Sequence, residues 1–180
     1  MYEHLSTFSG GPPNLYHLAL YSRWARGGWG MIVTGNCLIS ASHLTLGRDM
    51  ILHLSASDRD LDAFRALSAA MNSRGVSDSE SVTRTLAIIQ LNHAGRQSPR
   101  FLGGRLGTFR KPLAPSSRRV GADSKEGWMA KMAYKFLFQT PQVISSREVE
   151  ELIDEFASAA KLASQTGFDG VQLHAAHGCE

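Results

Sequence analysis

Gly167-Phe168-Asp169-Gly170-Val171-Gln172-Leu173-His174-Ala175-Ala176-His177-Gly178-Cys179-Glu180 are the last residues of a chain of 180. Phe168 to His174 reads as a buried strand that delivers two histidines at its carboxyl end. Because strand side chains alternate, Gln172 and His174 share one face and Val171 and Leu173 the other.

Working back from this strand, Ser145 and Glu148 make a capping box. Val149, Leu152, Ile153, Phe156, Ala160 and Ala163 then form one face of an amphipathic helix that Gly167 ends. Two earlier apolar runs, Gly30 to Ile39 and Val82 to Leu91, read as strands buried on both faces. A helix capped by Asn14 carries Leu15, Leu18, Tyr21, Trp24 and Ala25 and stops at Gly27-Gly28. Another runs from about Asp58 to Arg74, capped by Ser57 and stopped by Gly75, with Leu61, Phe64, Leu67 and Met71 as its stripe. Asn92 to about Val143 is loop-like, rich in Gly, Pro and Ser, and ordered loops of this length usually serve function.

Helix and strand therefore alternate, which predicts an α/β fold with a parallel sheet built through right-handed crossovers. In such folds chemistry sits at the carboxyl ends of strands. Thr34-Gly35-Asn36, Gln90-Leu91-Asn92-His93, and His174 with His177 would all reach one rim. A Gln amide suits the edge of a heterocycle with alternating carbonyl and N–H groups, although for Gln90 taken alone a structural hydrogen bond is the better reading. The two histidines present three alternatives: a structural pair, two N–H donors to one oxygen, or zinc ligands. Against zinc, the pair follows a strand, holds no Glu between its members and has no third ligand after it.

Composition removes other classes. With 43% hydrophobic and 19% charged residues the chain is ordinary globular material. Its formal charge of +3 comes from dispersed Lys and Arg, so no nucleic-acid partner is expected. The densest basic stretch, Arg96 to Arg119, reads as a loop with local anion affinity at most. Cys37 and Cys179 are in no metal or disulfide spacing, Cys37 reading as a small buried hydrophobe. With no signal-like start and no apolar span, a cytoplasmic protein with no membrane partner is expected. Gly27-Gly28-Trp29-Gly30 precedes a strand, which is the wrong order for a dinucleotide fingerprint, and no nucleophile elbow or phosphate loop is present.

Trp29-Gly30-Met31-Ile32-Val33-Thr34-Gly35-Asn36, Gln90-Leu91-Asn92-His93-Ala94-Gly95-Arg96 and Phe168 through Gly178 together closely resemble the old yellow enzyme family of NADH:flavin oxidoreductases. The resemblance implies a (β/α)8 TIM barrel that binds FMN over its strand ends. FMN is reduced by NAD(P)H and then passes a hydride to an activated, enone-like alkene. It further implies that Gln90 hydrogen-bonds the flavin's pyrimidine edge and that Gly35 and Asn36 pass close to the isoalloxazine. His174 and His177 would hold and polarise the substrate carbonyl, and Met1 and Tyr2 would match the end of the family's first strand.

Two departures qualify what carries over. Cys179 stands where the family has a proton-donating Tyr. A full barrel takes about 250 residues, so residues 1–180 are expected to form a single incomplete domain, a partial TIM barrel holding about strands 2 to 4 with their helices. A truncated or mis-spliced gene model is expected, with weak or no FMN binding and negligible turnover. Exposed sheet edges would favour self-association. The alternative is a non-catalytic half-barrel acting as an assembly or regulatory partner.

Overall fold

The computed structural model describes residues 3–72, 84–105, 110–122, 125 and 127–177. Helix α1, Leu15–Ala25, begins where Asn14 caps it, accepting from the amides of Tyr16 and His17 at 3.0 and 3.4 Å. Strand β1, Met31–Leu38, follows, then a short β2, Met50–Ile51, and helix α2, Asp58–Met71, capped by Ser57. Strand β3 is Leu86–Asn92, and a 3-10 turn at Gly95–Gln97 leads away from it. Helix α4, Ser146–Gln165, starts from the Ser145 and Glu148 capping box and returns the chain to β6, Gly170–Leu173.

These strands form one parallel sheet in the order β2-β1-β3-β6. The Asp169 carboxylate accepts the Ala87 amide at 2.8 Å and pairs with Arg84, while its own amide donates to Ala87, which sets the register of β6 on β3. Ala87, Ile89 and Leu91 of β3 point to the helices and are fully buried with Ile32, Cys37, Phe64, Leu67, Met71, Ala159 and Ala163. Burial under crossover helices is what makes β1 and β3 read as continuous apolar runs.

Three expectations change. Strand β6 lies at the sheet edge and is not buried: Leu173 is 61% exposed, because among the described residues no strand flanks its outer side. For the same reason α4 buries Ala159 and Ala163 and partly buries Leu152, Phe156 and Ala160, while Ile153 on its apolar face stays 60% exposed. Third, the long connection after β3 is not all loop. It holds helix α3, Trp128–Leu137, and a two-stranded parallel ladder of β4, Leu113–Ala114, with β5, Gln142–Val143. The Gly and Pro punctuation around α3 masks ten residues of good helical pattern. The expected helix end at Arg74-Gly75 and strand start at Val82 lie outside the described residues.

Truncating Phe64 to Ala is expected to lower stability by about 3–5 kcal/mol. Ile153→Ser, on the same apolar pattern but exposed, is expected to change it by less than about 1 kcal/mol. Urea denaturation of both variants checks this, and comparable losses would contradict the one-sided packing of α4.

Candidate functional site

The ladder brings the predicted residues level. Asn36 pairs with Gln90 and Gln90 with Gln172, so three amide side chains stand in one row across β1, β3 and β6 on the face away from the helices. The His174 amide donates to Leu91 at 2.9 Å, extending the ladder so that His174 follows Gln172 on that face.

A bulge in β1 shapes the row, since its register on β3 shifts between Val33 and Asn36. The Thr34 hydroxyl fills the gap, accepting the Gln90 amide at 3.0 Å and donating to the Gly35 carbonyl at 2.8 Å. The freed Gly35 amide donates to Glu3 Oε1 at 2.9 Å and to the Tyr21 hydroxyl at 2.8 Å. A Cβ at residue 35 would come within 2.7 Å of the Glu3 carboxyl carbon, so any larger residue here would push that carboxylate aside. Burial holds the Glu3 carboxyl above its usual range, with the Gly35 N–H opposing. Behind it, His17 Nδ1 lies 3.1 Å from the Asn14 backbone amide and 3.0 Å from the Asn14 side-chain oxygen, with its Nε2 3.9 Å from Glu3 Oε2.

Gln90 Nε2 donates to Gln172 Oε1, the structural bond open to it on sequence grounds. Its Oε1 has no partner, and neither do the amide oxygen and nitrogen of Asn36 or Asn92, all buried. Buried amides are normally satisfied, so five unmatched donor and acceptor atoms at adjacent strand ends mark a place built for another polar group.

His174 and His177 do come together. Their rings lie 5.1 Å apart, tilted by 48°, with His174 Nε2 and His177 Nδ1 separated by 3.4 Å. His177 sits in left-handed backbone at φ 62°, held there by a hydrogen bond from the Gln97 side chain to its carbonyl. Gln97 also lines a mostly apolar recess of about 370 Å³ with Leu46, Pro99, Tyr134 and Phe138. A larger cleft of about 810 Å³ lies elsewhere, lined by His43, Arg105, Arg110, Lys111 and Gln142 and by none of the rim residues. Among the described residues no group of three His, Cys, Asp or Glu is placed to hold a metal ion. Met1, Tyr2 and Cys179 lie outside the described residues.

Several supporting residues had no local signal. Glu3 and Tyr21 meet Gly35, and His17 meets Glu3, only through the fold. His93, grouped by sequence with the rim, instead stacks on His43 with ring centroids 4.2 Å apart, both buried. Burial, reinforced by the nearby Arg105 cation, lowers His93 to about 4 and pushes His43 lower still. Burial alone takes His17 to about 4.

A parallel α/β sheet with polar residues level at its strand ends is the framework on which barrel and open-sheet proteins place their sites. Residues 5–179 match the sequence profile of the NADH:flavin oxidoreductase / NADH oxidase family, and the chain belongs to that family. The family uses FMN, with a nicotinamide dinucleotide as reductant. The chain is 39% identical over 160 residues to the NADH-dependent flavin oxidoreductase iliE of Neonectria sp. (strain DH2), covering 88% of this chain and 19% of that one. It is 37% identical over 160 residues to iccE of Talaromyces variabilis, again covering 88% of this chain but 36% of the relative. Among solved structures it superposes on morphinone reductase with a TM-score of 0.72 at 18% identity, covering 99% of this chain and 43% of that one. The old yellow enzyme homologue from Zymomonas mobilis gives 0.69 at 24% identity, with the same coverage. Those structures share the fold, so the sheet is part of a TIM barrel, and the chain spans less than half the length of each protein it is compared with here.

His17 and His93 refuse a proton in the folded state that the unfolded chain accepts near its ordinary pKa of about 6.5. Stability is therefore complete above about pH 6.5 and falls as pH drops toward about 4. The expected slope is up to about 1.4 kcal/mol per pH unit for each histidine. Urea midpoints across this range should show it, and His93→Gln should flatten it; a pH-independent midpoint would contradict the burial of these rings.

Proposed function

We propose that this chain forms the isoalloxazine-facing part of an FMN-dependent oxidoreductase of the old yellow enzyme type, acting on an activated, enone-like alkene. When bound, FMN supplies the hydride, taken from NAD(P)H and delivered to the β-carbon of the alkene. The row of unmatched amides carries this reading: a flavin pyrimidine edge alternates carbonyl and N–H groups, and Asn36, Gln90 and Asn92 offer both kinds of partner. Gln90 anchors that edge, steadied by Gln172, while the Thr34 and Glu3 contacts hold the Gly35-Asn36 backbone against the ring.

His174 and His177 hold the substrate's carbonyl oxygen. Two ring N–H groups converging on one oxygen stabilise the negative charge that builds there as the β-carbon accepts hydride. The Gln97 bond to the His177 carbonyl keeps that ring beside His174. Cys179 stands in the sequence where the family has its proton donor, and the shorter reach of a cysteine side chain limits proton delivery to the α-carbon.

The residues that carry this reading face the ring of the flavin rather than its phosphate, so flavin binding by this chain rests on the ring. Flavin titrations followed by fluorescence quenching test this. Riboflavin and FMN should bind weakly and with affinities within a few-fold of each other, and Gln90→Leu should weaken both about tenfold. No saturable binding of either flavin, or binding indifferent to Gln90, would remove the reading.

A further inference from the structure

The connection between β3 and α4 carries a charge asymmetry that the flavin site does not use. Residues 96–135 contain ten Lys and Arg against two Asp and Glu, whereas the rest of the chain contains nine against fourteen. Lys and Arg occur along the whole chain, but acidic residues are scarce on this excursion, so the net positive charge falls there, and the same excursion holds α3.

Helix α3 has no buried residue. Trp128, Met129 and Phe136 are 76%, 70% and 63% exposed, and Met132 is exposed beside them. At about 100° per residue these four side chains fall within roughly a 100° arc, and Lys131 and Lys135 border it. No acidic residue lies in the helix. The opposite side is what ties α3 down. Tyr134 packs on Gly121, where an added Cβ would meet its ring at 2.4 Å, and the Arg100 amide donates to the Leu137 carbonyl at 2.8 Å. Phe101 lies against Phe136 with ring centroids 5.2 Å apart and extends the apolar patch. The helix is thus held with its Trp, Met and Phe side chains outward and its lysines alongside.

We propose that this excursion docks on an anionic lipid bilayer, with α3 lying in the interface. Four features fit that partner together. Trp and Phe prefer the headgroup boundary, the methionines adapt to acyl chains, the flanking lysines reach lipid phosphates, and the other exposed basic residues of the same excursion add long-range attraction. No helix among the described residues is long and apolar enough to cross a membrane, so the contact is peripheral. It departs from the expectation of no membrane partner, which rested on the lack of a signal-like start and of an apolar span.

Flotation of the 180-residue chain with vesicles of phosphatidylcholine, with and without phosphatidylserine, tests the proposal. The chain should float with the mixed vesicles, much less with phosphatidylcholine alone, and progressively less as salt rises. Brominated acyl chains should quench its tryptophan emission, and Trp128→Phe should remove that quenching while Trp24 and Trp29 remain. Lys131→Ala with Lys135→Ala should lower partitioning about thirtyfold, and Trp128→Ser with Phe136→Ser about a hundredfold. All these side chains are exposed, so circular dichroism should be unchanged. Failure to float, or equal flotation with both vesicle types, would overturn the proposal. So would light scattering that shows a dimer dispersed by Trp128→Ser with Phe136→Ser, since the apolar face would then belong to a second copy.

Discussion

Everything at the rim depends on β3 being paired in parallel on both sides. Parallel pairing requires a crossover between neighbouring strands, and α2 and α4 supply it, covering one face of the sheet. That cover commits Ala87, Ile89 and Leu91 to the core and so commits Gln90 and Asn92 to the other face. Because all three strands point the same way, Asn36, Gln90 and Gln172 arrive level and their polar ends converge.

The convergence is costly in isolation. A buried amide without a partner loses roughly 1–3 kcal/mol, and several stand together here. The fold keeps them in place by satisfying the backbone around them through unusual means: a Thr34 hydroxyl bridging a bulge, and a buried Glu3 accepting the Gly35 amide. Cys37, one residue beyond the row and pointing to the core, is a packed thiol that burial pushes far from the thiolate state. The neighbouring His17, His43 and His93 are neutral for the same reason, whereas His174 and His177 lie nearer to solvent.

Charge and apolar surface are divided along the chain as well. The sheet and its helices carry balanced or acidic surface, whereas the β3–α4 excursion carries the net positive charge and an uncovered helix. Exposure also separates two kinds of apolar residue that look alike in one dimension. Leu173 and Ile153 are exposed because β6 is an edge; Trp128 and Phe136 are exposed because α3 is pinned by its opposite side.

The amino-acid sequence by itself determined the α/β alternation, the caps of α1, α2 and α4, the sharing of one face by Gln172 and His174, and the meeting of three strand ends. Those features rest on local rules: hydrophobic period, capping side chains, and strand alternation. It also carried the family motifs on which Gln90, Gly35, Asn36 and the histidine pair were picked out. Only the tertiary structure decided that Glu3 sits under Gly35, that His93 turns away to stack on His43, that Gln97 holds His177, and that β6 is an open edge. These are contacts between residues far apart in sequence, or the absence of a neighbouring strand, and no local pattern encodes either. Helix α3 falls between: its spacing was present in the sequence, but which side it would turn outward depended on Tyr134 finding Gly121.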